Sequence, residues 1–392
     1  MSEIFNEIKK MHDEFTEIRR YLHKYPELGL EEYETTKFIK KKLTEYNIDI
    51  CSYNIETGVV ALLEGEQNKS DKVVGLRADI DALPMTEKTD LEYSSQNDGI
   101  MHSCGHDGHA AILLGVAKYL SENRDKFSGK VKFIFQPGEE TLKGAQTLVD
   151  NGVLKDPKPD VLVGLHGDPD LTVGKVGVKP NGFMASGDKF HITVKGTGGH
   201  GAYPHRSYDP ILASSNLVMA LQGIVSREIN ALDSAVISVC IINGGNAFNI
   251  IPEEIELKGT ARCHTPEVRK QIEEKMERVI KNVVSTYGCD YEFTYEHGVP
   301  AVINDEDTTE EVVKAAKEVL SQDSVVDIPA RMGSEDFSVL STNVERSTFF
   351  RLGITKPDTP MVSQHNEKFD FNDEAIPYGM SVLTQFVFNQ LS

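Results

Sequence analysis

The chain has no tryptophan, and its five cysteines are so scattered that no Cys-x-x-Cys pair exists. An odd set of isolated cysteines, Cys51, Cys104, Cys240, Cys263 and Cys289, argues against a disulfide framework and for a reducing cytoplasm. Positive charge is also short: 41 Lys and Arg stand against 61 Asp and Glu, a formal net charge of −20. That balance argues against nucleic acid and against anionic membrane surfaces as partners, and suits solubility. No run of 18 apolar residues occurs, so no segment is expected to span a bilayer. The N-terminus does not read as a signal peptide. Ile4, Phe5, Ile8, Met11, Phe15, Ile18 and Leu22 recur at helical spacing and predict an amphipathic helix instead. Repeats and low-complexity tracts are absent.

The residues that are present suffice for a globular enzyme-sized protein. Apolar residues make up 39%, enough for a core, and 392 residues suggest two domains, one inserted into the other. Helices are expected over about 2–24, ending at Pro26, and 31–46, with Lys40-Lys41-Lys42 on a solvated face. Strand-like runs follow at Val59–Leu63, Val73–Leu76, Lys130–Phe135 and Val161–Leu165, with a helix to about 123 between the second and third. The last three runs deliver carboxylates or a histidine at their C-terminal ends, the edge where α/β sheets build sites. This alternation predicts an α/β catalytic domain, a mostly parallel sheet flanked by helices. The character changes near Met184. Residues 187–297 read as strand, helix (209–229), two strands, helix (266–287) and strand, an inserted α+β unit. Helices near 307–320 and 374–390 then complete the first domain, 1–186 with 298–392. Cys51, Cys240, Cys263 and Cys289 lie in or beside strand-like runs and are expected in the core.

Chemistry concentrates in Met101-His102-Ser103-Cys104-Gly105-His106-Asp107-Gly108-His109. Cys104 and His106 are two apart, a spacing that lets both side chains converge in a turn, and thiolate with imidazole suits zinc and its neighbours. Gly138-Glu139-Glu140 ends a strand. If extended, its two carboxylates point opposite ways, so that one can hold metal and the other face a water. His166 follows an apolar run, and His365 stands in a polar segment. Gly196-Thr197-Gly198-Gly199-His200-Gly201 formally fits the dinucleotide fingerprint. That motif must open directly into a helix, and Ala202-Tyr203-Pro204-His205 intervenes, so no nucleotide role is read.

Taken together, Leu22–Gly29, Arg77–Pro84, Met101–Asp107, Gln136–Glu140, Gly199–His205, Asn249–Pro252 and Gly333–Phe337 resemble one family. It is the amidohydrolase branch of the aminoacylase/carboxypeptidase metallopeptidases, which includes hippurate hydrolase and N-acyl-amino-acid amidohydrolases. The resemblance runs from about residue 16 to 380. It implies two divalent ions per subunit (Zn, Mn, Co or Ni), held by Cys104, His106, Glu140, His166 and His365, with Cys104 bridging. Glu139 would be the general base. Asp79 and Asp81 would support the ligands from behind, Asp79 standing where the wider family has a ligand histidine. On the inserted domain, His200 would donate to the oxyanion in the partner subunit's site, and Asn249 and Arg262 would clamp the substrate carboxylate. The implied protein is a homodimeric or dimer-based cytoplasmic enzyme that releases a free amino acid from a small-molecule N-acyl amino acid. A carboxypeptidase or dipeptidase on the same scaffold is the rival. A non-catalytic metal binder is a weaker one, because it would have no use for Glu139 beside Glu140.

Overall fold

In the computed structural model, which describes residues 2–67 and 70–392, the strand Val73–Asp79 is buried at every position. Seven consecutive buried residues fit a strand covered on both faces. It lies inside an eight-stranded sheet ordered Asp49–Ile50, Val59–Glu64, Lys130–Gln136, Val73–Asp79, Val161–Thr172, Arg346–Thr355, Val176–Val178 and Val325–Asp327. The four central strands pair in parallel, and antiparallel partners are added on either side of them. The α/β class with a mostly parallel sheet is therefore as expected.

Alternation along the strands sorts side chains between the two faces. Val161, Val163 and Leu165 join Phe350, Leu352 and Ile354 in a core with the helices His106–Ser121 and Ile376–Leu391. Phe349 points the other way and stacks on Phe337 at 5.0 Å.

The chain divides into two compact units. One comprises Met1–Asn181, Ile303–Pro329 and Asp336–Ser392, and the other Gly182–Val302 with Ala330–Glu335. In the second unit the strands Ala235–Asn243, Glu254–Cys263, Asp188–Lys195 and Asp290–Glu296 form an antiparallel sheet in that order. The helices Pro210–Gly223 and Pro266–Thr286 supply Leu217, Leu221, Ile272, Met276 and Ile280 to its core. Asp209 and Thr265 cap these helices through their side chains.

Several local expectations need correction. The N-terminal helix is two helices, Glu3–Lys9 and His12–Lys24, with Phe5, Ile8, Phe15, Ile18 and Leu22 buried across the break. Because the apolar spacing continues through the break, periodicity alone cannot see it. The strand at Val161 runs on to Thr172, so His166 lies within it rather than at its end. Arg346–Thr355, absent from the sequence reading, is a central strand, and Arg351 interrupts its apolar run. Cys263 and Cys289 are buried, but Cys51 is half-buried and Cys240 exposed. Cys240 falls at a register shift on the edge strand, beyond which no further strand pairs among the described residues.

Candidate metal centre

Two turns and two chain segments bring the donors together in the larger unit. The first turn is anchored where Leu83 and Met101 exchange backbone hydrogen bonds, each 3.0 Å. Gly105 then takes φ 93°, a left-handed conformation open to glycine, and caps the helix that begins at His106. His106 is thus held in the first turn of a buried helix. Its Nδ1 lies 3.1 Å from Asp81 Oδ1.

The second turn departs from the expected geometry. Glu139–Thr141 is not extended but a single 3₁₀ turn, entered through Gly138 at φ 62°. Adjacent carboxylates therefore do not alternate as on a strand. Glu139, Glu140 and His106 instead offer ligand atoms within 4.8 Å of one another. Asp81 reaches this turn as well, its Oδ2 accepting from the Glu140 N–H at 2.9 Å. One carboxylate thus orients a histidine and a glutamate that are 34 positions apart in the chain.

His166 stands on its strand with Nε2 3.4 Å from Cys104 Sγ. Its Nδ1 donates to the Gly167 carbonyl at 2.8 Å, which leaves Nε2 as the lone-pair nitrogen. His365 adopts φ 58°, is tied by its N–H to Ser103 O at 2.9 Å, and places Nε2 3.3 Å from Glu140 Oε1. Among the described residues, two of the donor triads contain Cys104: Cys104, His106 and His166, and Cys104, Glu140 and His365. Cys104 belongs to both.

Electrostatics favour a cation here. Burial pushes the Cys104 thiol up to about 12. Burial works against charge on His106, yet Asp79 and Cys104 raise it well above the usual imidazole range. Burial together with Arg351 keeps His166 neutral. His106 Nε2 is buried with no hydrogen-bond partner, and Asp79 Oδ1 at 3.8 Å is beyond reach. A buried imidazole nitrogen without a partner, in surroundings that favour positive charge and beside a thiol, a second imidazole and carboxylates, fits a divalent metal taking the place of a proton.

Asp79 is not among the two triads around Cys104. Burial opposes its charge, but His106, Arg77 and His109 hold it well below the usual carboxylate range. It pairs with His109 Nδ1 at 2.6 Å and Arg77 Nη1 at 2.6 Å. His109 Nε2 in turn accepts from the Gly167 N–H at 2.8 Å, so both its nitrogens are engaged and it is not free to ligate. Sequence reasoning missed this relay from Asp79 to the strand of His166. It also missed Gln364, which donates to Cys104 O at 3.2 Å and Gly167 O at 2.9 Å. Asp336 was quoted only within a motif. It accepts from Gln136, Arg77 and the Ala145 N–H. Asp107, beside His106, takes Arg19 and His23, which accounts for the early Leu22-His23 motif.

In the smaller unit, His200 is exposed, and its strand pairs with Ile250 and Ile251. The Gly201 N–H donates to Asn249 O at 2.8 Å, so His200 and Asn249 are neighbours. The glycine run around His200 leads into strand pairing and a short Pro204–Arg206 turn, and the next helix begins at Pro210. Arg262, half-buried, donates to Met332 O and Ser334 Oγ at 3.0 and 2.9 Å. It lies at the far end of Glu254–Cys263 from that pair, eight strand steps from Glu254, or about 26 Å.

Comparison with known proteins follows this geometry. The model of peptidase family M20/M25/M40 matches residues 75–389. The chain belongs to this family. Among its M20 relatives, the N-acetyl-L-cysteine deacetylase of Bacillus subtilis is 43% identical over 85% of this chain and 79% of its own. Thermostable carboxypeptidase 1 of Saccharolobus solfataricus is 35% identical over 95% and 94%. A crystal structure from Bacillus subtilis, described as a dinuclear metal-binding peptidase of the M20 family, is 34% identical and superposes with a TM-score of 0.87 over 97% of this chain and 98% of that one. The family resemblance drawn from the motifs therefore holds.

Proposed function

We propose that this M20 chain is a two-metal amidohydrolase that cleaves N-acyl L-amino acids to a carboxylic acid and a free amino acid. The observation that carries this reading is the sharing of Cys104 between two donor triads, with Glu139 against His106 and Glu140 but outside both. Cys104, His106 and His166 would hold one divalent ion, and Cys104, Glu140 and His365 the other. Such a pair lowers the pKa of a water and polarises the scissile carbonyl. Glu139, only 6% exposed, accepts the proton of the attacking water and returns it to the leaving amine. One water is consumed, the C–N bond breaks, and carboxylate and amine leave. Asp81 orients His106 from behind, and Asp79 holds His109 against the strand that carries His166.

His200 donates to the oxyanion, and Arg262 with Asn249 takes the substrate carboxylate, Arg262 as a planar fork. His200 stands on the smaller unit, apart from every proposed metal ligand, which supports a two-chain arrangement. On the family pattern the partner subunit supplies His200. Exposed Ile241 and Ile242 on the edge strand, with Ile211, Leu212 and Met219 on the neighbouring helix, support pairing through the inserted unit. Five free cysteines, one of them a ligand thiol, support a reducing cytoplasm. Among the described residues, no helix is long and apolar enough to cross a membrane. The net charge of −20 supports a small-molecule partner rather than nucleic acid or an anionic membrane surface.

The relative named as a carboxypeptidase favours a second reading, peptide substrates at the same centre. The deciding experiment measures amine release from N-acyl amino acids and dipeptides, using chelated protein reloaded with Zn, Mn, Co or Ni in turn. Faster turnover of dipeptides would replace the acylase reading, and no turnover with any metal would end both.

A further inference from the structure

Glu32 has no role in the centre described above, yet it is fully buried (0% exposed). Its segment lies against the turn that carries Glu139. A Cβ added at Gly29 would come 3.1 Å from Gly138 Cα and 2.8 Å from Thr141 Cγ2. One added at Gly138 would come 2.7 Å from the Leu30 side chain. Glu32 Oε1 accepts the Gly138 N–H at 2.7 Å, across 106 positions of sequence, while Oε2 is buried without a partner. The same segment is tied to the chain before the metal turn: Ala82 N–H donates to Glu27 O at 2.9 Å, next to Asp81.

The peptides on either side of Glu139 are thus each anchored to a buried carboxylate. Gly138 N–H goes to Glu32 and Glu140 N–H to Asp81. Glu139 sits between them on a 3₁₀ turn of three residues, which the Leu142 N–H closes onto Glu139 O at 2.7 Å while the N–H groups on its entering side look outward for acceptors. We propose that Glu32 is a positioning residue that sets the orientation of Glu139 by accepting the Gly138 N–H. Its action is hydrogen-bond acceptance, not charge. The inference rests on the reading of Glu139 as the proton-transfer base.

The test uses the full-length protein loaded with Mn²⁺ and three variants, Glu32→Ala, Glu32→Gln and Glu32→Asp. Glu32→Ala should keep its metal content and a nearly unchanged KM, and lose about 10–100-fold in kcat. Glu32→Gln keeps an acceptor oxygen in place and should stay within about threefold of the parent. Glu32→Asp withdraws the acceptor by one methylene and should fall between, which preserves the test if the alanine variant does not fold. Hydrogen exchange of the Gly138 amide gives a readout independent of turnover. It should speed up in Glu32→Ala and stay protected in Glu32→Gln. Parental kcat and parental Gly138 protection in Glu32→Ala would overturn the proposal. So would a Glu32→Gln variant as impaired as Glu32→Ala, because that would assign the role to charge. If the parent itself hydrolyses nothing, the functional reading fails, while Gly138 exchange still decides whether Glu32 anchors the turn.

Discussion

His166 Nε2 lies 3.4 Å from the sulfur of Cys104, with the other ring nitrogen turned away to the Gly167 carbonyl. A lone-pair nitrogen aimed at a buried thiol accepts its S–H, and once that proton is lost the two make a pair of ligands for one ion. The same sulfur also belongs to the triad with Glu140 and His365.

Metal loading should therefore be linked to protons through Cys104. Burial holds its thiol proton up to about 12, so binding at neutral pH must expel that proton. Affinity should weaken as pH falls, and titration in weak buffer should acidify the solution. Cys104→Ala should lose most of both ions and release fewer protons. Elemental analysis finding two ions per chain in that variant would remove the bridging role.

The adjacent glutamates should separate cleanly. Glu139→Gln should retain its metals and fold and lose about 10²–10⁴-fold in kcat, since only proton transfer is removed. Glu140→Gln should lose metal instead. Near-parental turnover by Glu139→Gln would end its assignment as base.

Substrates whose carboxylate is amidated should lose on the order of 10–100-fold in kcat/KM, because the Arg262 donors would face no anion. Arg262→Ala should flatten that preference. An equal rate on the acid and its amide in the parent would argue against the clamp.

Mixing inactive variants tests whether two chains build one site. In a dimer of Glu139→Gln with His200→Ala, one site would carry both defects and the other neither. Random exchange of equal amounts should restore about a quarter of parental activity, because half the dimers are mixed and each has one intact site. Exchange verified by mass tagging without recovered activity would place His200 in its own subunit's site.

Stability should vary with pH through Glu32. Burial, with Asp81 second, raises its carboxyl to about 7, above the ordinary carboxylate range. The protonated form is the one the fold favours, so its contribution is full at low pH and is lost as pH rises through about 7. Chelated Glu32→Gln lacks that loss. Its melting temperature should exceed the parent's by more at about pH 8 than at about pH 5. A constant difference would mean that Glu32 does not titrate in this window.

Much of the site was legible in the sequence because metal and acid–base chemistry demand particular residue types. Spacing singled out Cys104 and His106, the family resemblance added Glu139, Glu140, His166 and His365 as candidates, and buried strands announced themselves as apolar runs. Other features depend on which distant segments meet. The Asp79–His109 pair spans 30 positions, His109–Gly167 58, and Glu32–Gly138 106. No local pattern encodes such partners, because a hydrogen bond is set by the placement of two atoms and not by either neighbourhood. The turn at Glu139 looked like a strand end, since backbone conformation there follows from Gly138 and from the carboxylates that receive its N–H groups. Arg262 and Asn249 were paired as a clamp by the family resemblance, not by any local pattern. Only the tertiary structure decides where their strands carry them, Asn249 beside the short pair of His200 with Ile250 and Arg262 on the four-stranded sheet, because strand pairing joins segments that are not neighbours in sequence.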